Sequence, residues 1–219
     1  YQVENDGPPE IPGGVVHIQC AVTVRGDRLS VDDTGSTEQV HQAINVVPTY
    51  TYAYTAYALK AVLAPWLPNA HGSFIPISVT APEGSILNPL RPAPTGSRAM
   101  IGHLLPAAVF GALAQIVPHK VQATPGSPVN SIQLSNLRGE RRYVMNTFLG
   151  AGQGASASCD GTPAISFPSN LSNTNIEVLE TLVPVEVHQR SIRQGSGGAG
   201  RHRGGDGLSF EFTHRGDDE

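Results

Sequence analysis

Seven of the chain's 24 glycines lie between positions 195 and 207, and Gly150, Gly152 and Gly154 form a second cluster. A run of this density cannot be helix or central strand, because glycine loses the most backbone entropy on folding and offers no side chain to pack. It predicts tight turns and a backbone that closely approaches another segment or a ligand. Proline points the same way: 24 glycines and 18 prolines make 42 of 219 residues, about 19%, against a usual share of roughly 12%. The chain is therefore expected to consist of short elements joined by many turns.

At 219 residues it has room for one domain or at most two, and 39% apolar residues can form an ordinary core without crosslinks. Charged residues at 15% and a formal net charge of −4 exclude the field of a nucleic-acid binder and the charge excess of a disordered tail. Cys20 and Cys159 are the two cysteines, too far apart in sequence for a zinc ribbon or a redox CxxC, so a reduced, cytoplasmic setting is expected. The most apolar stretch, 99–117, is interrupted by His103, Pro106 and Gln115, so no membrane-spanning helix is expected. The opening YQVENDGPPEIPGG has neither a methionine nor a basic start followed by an apolar run. It is read as a cut inside a longer chain.

Periodicity predicts a β-rich α+β fold of short antiparallel strands, two main helices and glycine-rich loops. VVHIQCAVTV (15–24) and RLSVDDTGS (28–36) flank a turn at Arg25-Gly26-Asp27 and read as a hairpin. Thr49 to Ala64 reads as a helix with Tyr50, Tyr54, Tyr57 and Ala61 in one stripe, stopped by Pro65 and Pro68. Those tyrosines suit a core edge or subunit contact, the alternative being a ligand cage. Phe74–Thr80 reads as a strand followed by turn residues at 81–85, and 99–117 as a second helix that Pro106 kinks or starts. RRYVMNTF (141–148) reads as a strand, Thr174 to Glu177 as a capping box opening a helix through Leu182, and VPVEVHQRSIR and GLSFEFTH as two further strands. No internal domain boundary is marked, although the loop after Pro65 and the stretch 118–139 are the natural seams.

The loop Gly195-Ser196-Gly197-Gly198-Ala199-Gly200 matches GxGxxG and follows a strand. The residues after it, RHRGGDG, make a poor helix start, so a dinucleotide fingerprint is not supported, and no GK[ST] occurs for a P-loop. Two readings remain: a structural hairpin packed on its neighbours, or bare amides with Arg193, Arg201 and Arg203 receiving an anion. Ser156, Ser158 and Cys159 follow the other glycine cluster without a base at any indicative spacing. The eight histidines form no HxH, HxxxH or HExxH, so no metal site is expected within the chain.

Five ordered blocks carry a family resemblance: TVRGDRLSVDDTGS (23–36), VTAPEGSILNP (79–89), GALAQIVP (111–118), NTNIEVLE (173–180) and RQGSGGAGRHRGGDG (193–207). Together they resemble the C-terminal portion of the hydantoinase B/oxoprolinase family, across residues 1–219. The resemblance implies a subunit of a hetero-oligomeric, ATP-dependent complex. Such complexes hydrolyse a cyclic amide (a hydantoin, 5-oxoproline or a lactam) or carboxylate a ketone through a phosphorylated intermediate.

It also implies ATP and Mg on a hydantoinase A-type ATPase partner and a divalent metal held by an N-terminal part of the same subunit or a split chain. No nucleic acid or membrane is implied. The implied substrate- or phosphate-binding residues are Arg98, Gly150, Gly152, Gly154, Asn170, Asn173, Arg193, Gly195, Gly197, Gly198 and Arg201. Where many relatives have an HTHMTN-like stretch this chain has Ile165-Ser166-Phe167-Pro168-Ser169-Asn170, and 94–98 departs from an AGGN-like stretch by ending on Arg98. A catalytically silent structural subunit is the alternative these departures imply.

Overall fold

A computed structural model describes residues 2–4, 11, 14–127, 130–136 and 142–215. Contacts divide the chain into two units, Tyr1–Gln122 and Ala123–Glu219. Both strands and helices are present, so the fold is α+β.

In the first unit, strands β1 (Gln2–Glu4) and β2 (Val15–His17) pair antiparallel. The expected hairpin forms from β3 (Ala21–Arg25) and β4 (Arg28–Asp32), turning at Gly26 with φ +62°. The run from Val15 to Val24 is not one strand, however. From the end of β2 onward hydroxyls take the amides: Thr37 Oγ1 accepts the His17 N–H at 2.8 Å and Ser36 Oγ accepts that of Gln19 at 3.1 Å.

Helix α1 (Pro48–Leu63) begins with proline in its first turn, where the missing N–H costs nothing, and ends just before Pro65. Its buried residues are Thr51, Thr55, Ala56, Ala58, Leu59 and Val62, most of them at helical spacing. The tyrosines flank these residues. Tyr50 and Tyr54 stack with centroids 4.5 Å apart against the core cluster, whereas Tyr57 is exposed. Strand β5 (Ile77–Thr80) is shorter than 74–80, because Phe74 ends a 3-10 turn, His71–Ser73. It pairs parallel to β4, with Leu29 opposite Ile77, so β4, α1 and β5 form a crossover unit.

The apolar stretch 99–117 holds two helices, α2 (Ala99–Gly102) and α3 (Leu105–Leu113). Pro106 lies in the first turn of α3 and marks its start. Among the described residues no helix is long and apolar enough to cross a membrane.

The second unit contains two antiparallel hairpins, β6 (Asn130–Asn136) with β7 (Tyr143–Leu149) and β8 (Val185–Ile192) with β9 (Leu208–His214). Strand β6 escapes sequence reading because NSIQLSN is mostly polar; its pairing to β7 supplies the order that its hydrophobicity does not. Arg141, expected to open the partner strand, lies outside the described residues. Helix α4 (Ile176–Leu182) occurs as expected, but the capping box does not form. Asn175 is the N-cap without a side-chain bond, while Thr174 Oγ1 accepts the Thr147 hydroxyl and the Thr174 carbonyl accepts from Arg190. Leu179 of α4 packs with Met145, Val183 and Val185.

Asp33 is fully buried, and neither carboxylate oxygen has a hydrogen-bond partner. Burial, and then the neighbouring Asp32 charge, pushes its carboxyl from 3.8 up to about 7. A raised folded value stabilises most below pH 3.8, and that contribution is lost as pH rises through about 7. His103 is buried too, and this pushes its imidazole from 6.5 down to about 4, so its contribution is present above 6.5 and lost as pH falls through about 4. The two trends oppose each other between pH 4 and 6.5. In urea unfolding, Asp33→Asn should gain stability relative to the parent by roughly 4 kcal/mol between pH 4 and pH 8. Parallel profiles for the two proteins would show that Asp33 is not strained by ionisation.

Candidate functional site

The segment between β8 and β9 closes on itself. Arg193 N–H donates to the Gly207 carbonyl at 2.9 Å, and Ser196 Oγ donates to the Arg193 carbonyl at 2.7 Å while accepting Gly207 N–H at 2.9 Å. Asp206 completes the loop from inside: Oδ1 accepts Gly197 N–H at 2.7 Å and Oδ2 accepts Gly195 N–H at 3.2 Å. The Gly197 amide is the main cause holding this carboxyl below its ordinary range. The amides that the sequence offers to an incoming anion at Gly195 and Gly197 are therefore engaged by the protein's own carboxylate. No helix follows Gly200, so the pyrophosphate-facing helix end of a dinucleotide site is missing from this described segment.

The loop then lies backbone to backbone on the other glycine cluster. Gly205 N–H donates to the Gln153 carbonyl at 2.8 Å, Gln153 N–H to Thr162 at 2.9 Å, Gly161 N–H to Arg203 at 2.7 Å and Ala164 N–H to Asp206 at 2.8 Å. A Cβ at Gly152 would overlap the Gly205 carbonyl, and one at Gly154 the Ala123 carbonyl. These two positions are glycine because main chain occupies the space of a side chain. Asn173 buttresses the cluster, with Oδ1 accepting Gly150 N–H at 3.0 Å and Nδ2 donating to the Ala164 carbonyl at 3.3 Å.

Over this layer opens a cavity of about 650 Å³. Of the residues singled out by sequence, Gly150, Gly152, Arg193, Gly197 and Gly198 line it. Gly154 and Gly195 belong to the framework beneath, and Asn173 acts through Gly150. Asn170, with φ +52°, and Arg201 are exposed and do not line it. Arg98 belongs to the first unit and lines a different cavity, of about 410 Å³.

Asn130, Gln153 and Phe210 also line the larger cavity and were not anticipated. Asp206 was missed as well, although a lone acid inside a glycine loop is the signal of a carboxylate closing on neighbouring amides. Ser156 Oγ accepts the N–H of Ser158 at 3.3 Å and of Cys159 at 3.0 Å, which makes it a turn former. Among the described residues no group of His, Cys, Asp or Glu is arranged to hold a metal. The cavity is thus a peptide-lined cradle with one guanidinium, suited to orienting a polar or anionic group.

The sequence matches the hydantoinase B/oxoprolinase family over residues 4–218, and the chain belongs to that family. It is 31% identical over 206 residues to the B-type component of a D-/L-hydantoinase from Pseudomonas sp. strain NS671, covering 90% of this chain and 35% of that one. The crystal structure of ATP-dependent caprolactamase from Pseudomonas jessenii superposes with a TM-score of 0.76 at 29% identity, covering 89% of this chain and 35% of that one. Nucleotide-free acetone carboxylase shares the fold, with a TM-score of 0.78 at 21% identity over 90% of this chain and 27% of that one. The chain spans 35% of the length of the hydantoinase relative and 15% of that of the 5-oxoprolinases from Arabidopsis thaliana and Dictyostelium discoideum.

Gly152→Ala should destabilise the second unit by about 3 kcal/mol or more, because backbone cannot move aside as a flexible side chain can. Gly198→Ala, with nothing within 4 Å of the added carbon, should stay within about 1 kcal/mol of the parent. Denaturant unfolding of the two variants checks the contrast.

Proposed function

We propose that this chain is the C-terminal portion of a hydantoinase B-type subunit in an ATP-dependent complex that opens a cyclic amide by hydrolysis. The observation that carries the reading is the cavity over the two glycine clusters, built from the segment 193–207 that bears the family's densest motif. The relatives above 25% identity favour amide opening over ketone carboxylation, since hydantoin and caprolactam are both cyclic amides. Acetone carboxylase supports the shared fold.

A cyclic amide resists hydrolysis because its carbonyl is resonance-stabilised and its nitrogen is a poor leaving group. Phosphorylating the carbonyl oxygen makes the ring carbon electrophilic, and the activated species must be held away from adventitious water. In this reading ATP and Mg are held by a hydantoinase A-type ATPase partner, and any divalent metal by an N-terminal part of the same subunit or a split chain. This chain supplies positioning: the Arg193 guanidinium pairs with an anionic oxygen, and the rigid peptide layer fixes its place.

A second reading, a catalytically silent subunit that organises the ATPase partner, is favoured by two observations. Asp206 already satisfies two of the loop amides. Half-buried Ile165 and Phe167 flank the buried Ser166, apolar at positions where the family resemblance implies histidines. Assays of the purified complex with ATP, a hydantoin and lactam panel, and ketones with bicarbonate separate these possibilities. Substrate-stimulated ATP hydrolysis is expected with a cyclic amide, and its absence with every substrate would overturn the proposal. Arg193→Ala should lower turnover roughly a hundredfold with assembly intact. Unchanged turnover would favour the silent subunit.

A further inference from the structure

The cavity beside Arg98 lies outside the glycine-lined site and has its own chemistry. It is a shallow, open groove of about 410 Å³, lined by Val47, Thr49, Tyr50, Ala53, Thr95 and Arg98. Its walls therefore combine one cation, one aromatic ring, two threonines and two small apolar side chains.

The cation is oriented. Arg98 Cζ lies over the Tyr50 ring, 5.6 Å from its centroid, within cation–π range. Among the described residues the ion pairs are His202–Asp160 and Arg215–Glu186, so no described carboxylate pairs with Arg98.

The surroundings of Arg98 are rigid from both sides. The segment before it is tied down by Ser97 N–H donating to the Ala43 carbonyl at 2.7 Å and by fully buried Asn45, whose Nδ2 donates to the Pro94 carbonyl at 2.9 Å. Tyr50 is held in turn by its stack on Tyr54, and the Tyr54 hydroxyl bonds His103 Nε2 at 2.8 Å. The Tyr50 ring also fills the space that a side chain at Gly102 would take.

We propose that this cavity is a binding site for a small carboxylate with an aliphatic body, the carboxylate taken by the edge of Arg98 and the body lying against Tyr50, Val47 and Ala53. One guanidinium balances one negative charge and matches the planar, two-oxygen geometry of a carboxylate. A phosphate dianion would leave one charge unbalanced here, since Arg98 is the one cationic residue among the described residues lining the groove. Ring opening of a cyclic amide generates a ligand of this kind. The assignment of that ligand class to the reaction rests on the reading above, whereas binding itself is tested without turnover.

Titration of the 219-residue chain with hexanoate, 6-aminohexanoate, hexanamide and inorganic phosphate provides the test, read by calorimetry and by NMR of the Tyr50, Tyr54 and His103 resonances. Hexanoate should bind at least tenfold more tightly than its uncharged amide and shift the three ring signals. Arg98→Ala should weaken carboxylate binding at least tenfold, with Arg98→Lys in between, because lysine keeps the charge and loses the planar fork. Arg98 is exposed, so an unchanged circular dichroism spectrum is expected for both variants. Equal binding of hexanoate and hexanamide, preference for phosphate, an unaffected Arg98→Ala variant, or shifts confined to the second unit would each overturn the proposal. Carboxylate binding here, in a complex that opens no lactam, would refute the proposed reaction and leave the site standing.

Discussion

Main chain packs directly on main chain where the segment 150–164 meets the segment 203–207, and the geometry of the second unit's cavity depends on that approach. Peptide N–H and C=O groups are strong donors and acceptors, but they can pair across a loop interface only when no Cβ keeps the chains apart. At Gly152 and Gly154 the space is filled by carbonyls, so any larger residue would force the layer open. The resulting surface is stiff and polar, with its hydrogen bonds directed inward. Such a layer can position an anionic group beside Arg193 without itself supplying an acid or a base.

The same constraint explains why the two sequence readings of the glycine loop are both partly right. The segment is a structural hairpin packed on its neighbours, as the Gly205 to Gln153 and Gly161 to Arg203 bonds show. It also borders a cavity with an exposed arginine. What changed is the identity of the anion at Gly195 and Gly197, which is Asp206. An internal carboxylate at that position fixes the loop in place of a ligand, leaving Arg193 as the charge that faces the cavity.

Much of the fold was legible wherever local chemistry acts alone. Pro65 and Pro106 bound helices because each lacks a donor, and Gly26 turns the β3–β4 hairpin because its φ is positive. Legibility failed where a distant group competes with the local signal. Thr174 was expected to cap α4, yet its oxygens face Thr147 and Arg190. The strand from Val15 was expected to continue, yet Ser36 and Thr37 intercept its amides. Strand β6 carries too little hydrophobicity to announce itself and depends on β7.

By itself the sequence determined the family, the α+β class and the two glycine clusters, because motif order and local backbone preferences are written along the chain. Tertiary structure alone decided which of the singled-out residues share a cavity. Gly150, Gly152, Arg193, Gly197 and Gly198 line one, Asn170 and Arg201 stand apart from it, and Arg98 lines another beside Tyr50. The reason is physical: a site is a coincidence of distant segments in space, and spacing along the chain does not encode which backbones can approach closely enough to form it.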